Sequence, residues 1–481
     1  MDKVERWPLY VNGAFITETE GEPITVEDPA HGVPIATVPT ASDDLLQEAI
    51  AAAERAFPAW ARTPAKERAG LLWKAAGLMR ERQEELARLL TREQGKPLAE
   101  SRGEIAISAE YLEWNAEEGR RAYGDTIPSA KPNQRLYALR QPVGVAVAIT
   151  PWNFPSSMIT RKIGPALAAG CTVIVKPASA TPLSAIALMK IFAEAGFPDG
   201  VVNLVLGPSA HVADVFLADP RVRKISFTGS TDVGKTLMAG AAATMKKVSL
   251  ELGGHAPFLV FDDADLELAA SGVIASKFRN AGQTCICANR LYVQRGVVEP
   301  FSEILTEKVR ALRVGDGLEP GVEVGPLIDE RAVEKVDRHV RDALTGGGRL
   351  LAGGERIFPS GLSRQFFSPT LVLDPPRNTL SAVEETFGPL MPMWTFDDED
   401  EAIALANNTP YGLASYFFAR DVGRVIRVSD GLEYGIVGAN EPVPTLVQAP
   451  FGGVKESGVG REGGHQGLDE YLYWKYVALT F

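Results

Sequence analysis

Cysteine is scarce in this sequence: Cys171, Cys285 and Cys287 are the only three among 481 residues. So few cannot build a disulfide framework, and the count fits a reducing compartment. No apolar stretch approaches the roughly 20 residues that cross a bilayer. Residues 1–8 are charged and lack the apolar run of a secretory signal, so a cytoplasmic protein is expected. The formal charge is −12 with acidic and basic residues intermixed, so the basic stripe that nucleic acid demands is missing. Five histidines are scattered, and Cys285 and Cys287 have no partner pair at ligand spacing, which leaves no metal site. There is no Gly-x-Ser-x-Gly elbow to support a serine hydrolase, no internal repeat and no low-complexity tract.

What is present suits a folded protein of two or three domains: 45% apolar and 23% charged residues. Residues 43–60, 65–92 and 98–121 carry apolar side chains at three- and four-residue spacing, which predicts helices. Gly95 and Pro97 separate the second from the third. From residue 143 short apolar strand candidates appear at 143–150, 172–175, 202–206, 224–227 and 248–252. Helix-length segments separate most of them, notably 182–195 and 232–243. This alternation predicts βαβ units in a parallel sheet, the usual cradle for a dinucleotide. Thr181 before Pro182 looks like a helix start with a capping hydroxyl. A second α/β block follows from about 256 to 450, with strands near 257–261, 291–294, 369–373, 392–396 and 413–418. The polar segment 123–141 and the aromatic tail 467–481 fit either strand-like arms that pair with another subunit or ordinary edge strands and a docked tail.

Four features bear on chemistry. Cys285 follows the polar, flexible lead-in Gly282, Gln283, Thr284, which suits an accessible nucleophile; a buried, inert thiol is the alternative. A free thiol is mostly protonated at neutral pH and needs a base or dipole nearby. Glu251, followed by Leu252, Gly253 and Gly254 at a predicted strand end, is the candidate base. A carboxyl beside an apolar strand end should have a raised pKa; a capping or salt-bridged glutamate is the other reading. Asn153 lies between Pro151 and Pro155, where a rigid turn after a strand can aim an amide N–H at a developing oxyanion, or where asparagine simply suits the turn. Finally, residues 227–234 run strand, Gly229-Ser230 turn, helix, a context in which backbone N–H groups bind pyrophosphate.

Six segments occur in order along nearly the whole chain: Pro-Trp-Asn-Phe-Pro at 151–155, Phe-Thr-Gly-Ser-Thr at 227–231, Glu-Leu-Gly-Gly at 251–254, Gly-Gln-Thr-Cys at 282–285, Glu-Glu-Thr-Phe-Gly-Pro at 384–389 and Pro-Phe-Gly-Gly-Val-Lys at 450–455. Together they resemble the aldehyde dehydrogenase superfamily. The resemblance implies an α/β fold: a Rossmann-like cofactor domain (1–122 and 142–254), an α/β catalytic domain (255–450) and small β oligomerisation arms (123–141 and 451–481) in a homodimer or homotetramer. It implies that Cys285 attacks the aldehyde, that Asn153 and the Cys285 backbone N–H hold the oxyanion, and that Glu251 activates the water that hydrolyses the thioester. Glu385 and Phe387 are implied to hold the nicotinamide ribose and ring, Ser230 and its glycine turn the pyrophosphate, and Lys176 the adenosine ribose. Trp152, Gly229, Gly234 and Leu252 complete the implied cofactor set.

Ser179 stands where many NAD-preferring relatives carry glutamate. A glutamate repels a 2′-phosphate, whereas serine offers a hydrogen bond and Lys176 a charge, so NADP is expected to be preferred, with NAD as second acceptor. Within the superfamily, residues 159–162 and 277–290 look most like succinate-semialdehyde dehydrogenases, in which the arginines matching Arg161 and Arg279 grip the distal carboxylate; structural salt bridges are the alternative. Thr445 departs from the family's serine, which opens the door to glutarate semialdehyde or a broader range of aldehydes. Some relatives form a reversible disulfide between positions matching Cys285 and Cys287. A CoA-acylating enzyme would not need Glu251, and a non-enzymatic scaffold would have no need to keep both residues.

Overall fold

A computed structural model describes residues 4–481. Its first sheet has eight strands, in spatial order Gly458–Val459, Lys247–Glu251, Val222–Thr228, Val145–Ile149, Thr172–Lys176, Val202–Leu204, Leu9–Val11 and Ala14–Ile16. The middle five are parallel. Helices cover both faces, so Val145–Ile149 and Thr172–Lys176 are buried at every position and read as unbroken apolar runs rather than alternating ones. The parallel part begins at Val145–Ile149, winds outward one way through Thr172–Lys176 and Val202–Leu204, then returns to wind the other way. The strand order therefore reverses beside Val145–Ile149, where loops at the carboxyl ends diverge and leave a crevice.

The second sheet has seven strands, ordered Arg349–Ala352, Thr370–Leu373, Leu390–Phe396, Ala288–Gln294, Ala256–Val260, Ala414–Phe418 and Ile436–Ala439. All pairings are parallel except that of Arg349–Ala352. A third, three-stranded sheet joins Leu472–Thr480 to Gln134–Pro142 and that strand to Asp125–Ile127. The tail and the 134–142 segment therefore pair with each other, over nine residues, and are edges of neither large sheet. Residues 451–471 lie outside this sheet. Val454–Lys455 pairs with Tyr411–Gly412, Gly458–Val459 joins the first sheet, and Gly464–Asp469 is a helix.

Two local expectations change. The predicted 65–92 helix is two, Ala65–Glu81 and Gln83–Gln94, bent at Arg82; apolar spacing is similar on both sides, so periodicity does not register the bend. Thr181 does not cap the Leu183–Ala195 helix: its hydroxyl donates to the Trp152 carbonyl (3.2 Å). The helix start is met instead by the Glu93 carboxylate, which accepts from Leu183 N (2.7 Å) and Ser184 N (2.8 Å). The first 42 residues, unassigned from periodicity, contain the strands Ile24–Asp28 and Val33–Val38 of a small separate sheet with Glu5–Arg6.

Candidate active site

Two turns flank the crevice. The first, 150–156, links Val145–Ile149 to the helix Ser157–Ala169 and carries Asn153. Asn153 is buried; its Nδ2 donates to the Gln283 carbonyl (3.0 Å), and its Oδ1 has no partner. Its own carbonyl accepts from Lys96 Nζ (2.7 Å) and Asn280 Nδ2 (3.1 Å). Lys96 is fully buried and paired with Glu104 at 2.6 Å, and the other Glu104 oxygen accepts from Ser156 N and Ser157 N. A closed buried network of this kind rigidifies the turn beyond what its prolines impose. Lys96 was hidden in the sequence because it sits between Gly95 and Pro97, which read only as punctuation.

The nucleophile segment is bent to fit. Asn280, Ala281 and Gly282 take φ of 51°, 54° and 74°, a left-handed run costly for non-glycine residues and typical of functional turns. A side chain at Gly282 would collide with the Gly388 carbonyl. Gln283 fastens the turn by accepting from Ile328 N (2.9 Å) and donating to the Asn280 carbonyl (3.0 Å). Cys285 then borders two cavities. One, about 290 Å³, is lined also by Trp152, Asn153, Gly229, Ser230, Leu252, Glu385 and Phe387. The other, about 40 Å³, is lined also by Tyr111, Arg161, Arg279, Thr284, Thr445 and Phe451. Burial pushes the Cys285 thiol up to about 12, with Arg161 pulling it back.

The glycines after Glu251 make this approach possible. A Cβ at Gly254 would stand 2.5 Å from the Cys285 carbonyl oxygen, and one at Gly253 3.1 Å from Glu385 Oε2. Glu251 ends its strand 1% exposed, neither carboxyl oxygen has a partner, and it lines neither cavity. Burial raises its pKa well above the carboxylate range and Glu462 adds to this, while Arg161 and Lys162 oppose it. Lys162 donates to Thr228 Oγ1 (2.7 Å) and pairs with Glu462, and Arg161 Nε lies 2.7 Å from Glu462 Oε2. The sequence reading missed Lys162 and Glu462, which lie 300 positions apart and carry no local signal.

The larger cavity has the features a dinucleotide requires. Ser230 stands at the cap position of the helix Thr231–Ala242 without making a side-chain capping bond, so the first N–H groups are available to an anion. Side chains at Gly229 or Gly234 would strike Phe227 or Leu252, so both glycines keep that turn close to its strand. Phe387, at φ 56°, meets Trp152 edge to face at 5.5 Å. Glu385, pushed up to about 7 by burial, accepts from Gly254 N (3.3 Å). Lys176 and Ser179 line neither cavity. Lys176 Nζ donates instead to Ser209 Oγ (2.6 Å), and burial lowers it to about 8. Ser209 was not foreseen. Cys287 is buried, its thiol donating to the Gly282 carbonyl (3.3 Å) with Lys277 Nζ 3.7 Å away; all three cysteines are free.

Residues 15–477 match the aldehyde dehydrogenase family model. The chain is 54% identical to the succinate-semialdehyde dehydrogenase of Escherichia coli (strain K12), whose name specifies NADP(+), over 98% of both chains. It is 53% identical to a glutarate-semialdehyde dehydrogenase of Pseudomonas aeruginosa, over 99% of this chain and 98% of that one. Among solved structures, an E. coli NADP-dependent enzyme superposes with a TM-score of 0.97 at 53% identity, covering 99% of this chain and 98% of that one. The α/β fold expected from the six motifs is the fold observed, and the chain belongs to the aldehyde dehydrogenase family.

Proposed function

We propose that the protein oxidises a short ω-oxo acid, succinate semialdehyde before others, to the dicarboxylate, with NADP preferred over NAD. One observation carries the reading: Cys285 stands between a cavity lined by the Gly229-Ser230 turn, Glu385 and Phe387 and a small one walled by two arginines. An arginine fork pairs well with a carboxylate, so an acid seated against Arg161 and Arg279 would put its aldehyde at the sulfur. Similarity to enzymes named for succinate and glutarate semialdehydes supports the same substrate class.

The chain's own groups account for the steps. Cys285 Sγ forms a bond to the aldehyde carbon as its proton passes to a base. The oxyanion is met by the Asn153 Nδ2 hydrogen not used on Gln283 and by the Cys285 backbone N–H; losing one such donor costs about 2.7–4 kcal/mol of barrier. A bound nicotinamide dinucleotide supplies the hydride acceptor that turns the adduct into a thioester. Glu251, as carboxylate, takes a proton from the water that attacks the acyl carbon; the C–S bond breaks and the thiolate returns. Its raised pKa makes it a stronger base than an exposed glutamate. Holding the dinucleotide falls to Ser230 and the following helix start for the pyrophosphate, Glu385 for the nicotinamide ribose, Trp152 and Phe387 for the ring, and Lys176 with Ser179 for the adenosine ribose. Serine rather than glutamate at 179 favours the 2′-phosphate.

Thr445, bulkier than serine, and the relative named for glutarate semialdehyde favour that aldehyde as the second substrate. We also infer a homodimer or homotetramer, because the third sheet exposes Tyr473, Trp474 and Tyr476, and a cytoplasmic location, because so few cysteines fit a reducing compartment. The test is kcat/KM for succinate semialdehyde, glutarate semialdehyde and butyraldehyde with each cofactor. A strong preference for the acids and for NADP is expected; equal values for the uncharged aldehyde would refute acid recognition, and a strong NAD preference would refute the cofactor assignment.

A further inference from the structure

The small cavity holds more unpaired polarity than its two arginines explain. Tyr111, on the helix Leu98–Glu118, lines it, is 1% exposed, and has a hydroxyl with no hydrogen-bond partner. Buried tyrosine hydroxyls normally find partners, and an orphan in a native fold calls for an explanation. Thr284 and Thr445, on the same walls, have unpartnered hydroxyls as well. The surroundings of Tyr111 do not supply the missing acceptor. Arg161, with its Cζ 6.0 Å from the Tyr111 ring and near enough to the hydroxyl to lower its pKa, can only donate; Glu462 is ion-paired with Arg161 and Lys162 and makes no hydrogen bond to Tyr111; Phe154 and Phe451 are apolar. Burial raises the Tyr111 pKa, with Arg161 pulling it back, so the phenol keeps its proton at neutral pH and is a donor in search of an acceptor.

We infer that Tyr111 is a specificity-determining residue whose hydroxyl donates to the distal anionic group of the substrate, between Arg161 and Arg279, while the aldehyde end lies at Cys285. The inference rests on the ω-oxo acid reading above. Its physical basis is the state of the arginines. The Arg161 charge is already matched by Glu462, so much of its attraction for a second carboxylate is spent inside the protein. A carboxylate offers about four acceptor sites, more than Arg279 alone can fill. Neutral O–H donors supply the remainder without adding a further buried charge, and bonds from such donors to an anion are short and strong.

Tyr111→Phe removes one oxygen and keeps the ring. Initial rates of wild type and variant are compared on succinate semialdehyde and on butyraldehyde, which has the same chain length and no charge. Protection of Cys285 against iodoacetamide by succinate gives a second readout that needs no turnover. The expected result is a KM for succinate semialdehyde raised roughly tenfold or more, the factor that a hydrogen bond to a charged group carries. Succinate protection should weaken by a similar factor, and kcat and the butyraldehyde KM should move by less than about twofold. Wild type favouring the acid while the variant matches it on both readouts would overturn the role of Tyr111 and leave the ω-oxo acid reading intact. Equal losses on both aldehydes, or a lowered melting temperature with both, would also overturn it, because the hydroxyl would then be structural. A wild type that does not favour the acid would overturn both.

Discussion

A thiol held at about 12 is a poor nucleophile at rest, since the thiolate is the reactive form. Glu251, the base proposed for hydrolysis, is likewise reluctant to ionise: buried, unpartnered and raised well above the carboxylate range. The sign follows. The proposed hydrolysis needs the Glu251 carboxylate, and a raised pKa delays its formation, so the deacylation rate should climb with pH through a value well above 4.5 rather than plateau there. Glu251→Gln keeps the shape and removes the base. Stopped-flow traces should show a burst of about one reduced cofactor per subunit followed by near-arrest, with intact mass locating the acyl group on Cys285. Continued turnover at more than about a tenth of the wild-type rate would exclude Glu251 as the base, since positioned bases typically contribute 10²–10⁴-fold.

Among the elements, the helix Leu183–Ala195 illustrates what local sequence hides. Thr181-Pro182 promised a self-contained cap, yet the acceptor for its first two N–H groups is Glu93, from a helix 90 positions earlier. Thr181 turns instead to the Trp152 carbonyl and steadies the turn beside Asn153. Glu93→Ala should destabilise the protein by about 1–3 kcal/mol, the cost of orphaning buried donors, seen as a lower denaturation midpoint. Burial lifts the folded-state pKa of Glu93 from 4.5 to about 7, the Ser184 and Leu183 N–H groups opposing it. This group therefore favours folding below pH 4.5 and loses that contribution as pH rises towards 7. Glu93→Gln should flatten that part of the stability–pH curve; an unchanged slope would show that another group sets it. The strands were legible where both faces are buried, as at Val145–Ile149 and Ala414–Phe418, because burial leaves an apolar run. Edge strands such as Arg349–Ala352 and Ile436–Ala439 escaped notice, being short and half solvated.

For the whole molecule, the third sheet is the notable feature: Leu472–Thr480 and Gln134–Pro142 pair over nine residues, joined to neither large sheet. Tyr473, Trp474, Tyr476 and Phe481 are 49–69% exposed there, and aromatic residues of this kind anchor interfaces. Trp474→Glu should shift sedimentation towards smaller species at micromolar concentration, with an interface loss of about 2 kcal/mol or more. An unaltered distribution would overturn this sheet as a subunit contact.

The amino-acid sequence by itself determined the fold class, the two α/β blocks and the choice of Cys285, Glu251 and Asn153 as candidates, because apolar periodicity and short motifs are local properties that survive without coordinates. Tertiary structure alone decided which of these groups share a cavity, that Glu251 is orphaned while Arg161 is paired to Glu462, that Lys96 and Glu104 lock the Asn153 turn, and that Tyr111 borders the small cavity. Those facts concern burial and charge pairing between residues tens to hundreds of positions apart. Such pairings are set by the sheet topology, which leaves no mark in any local window of the chain.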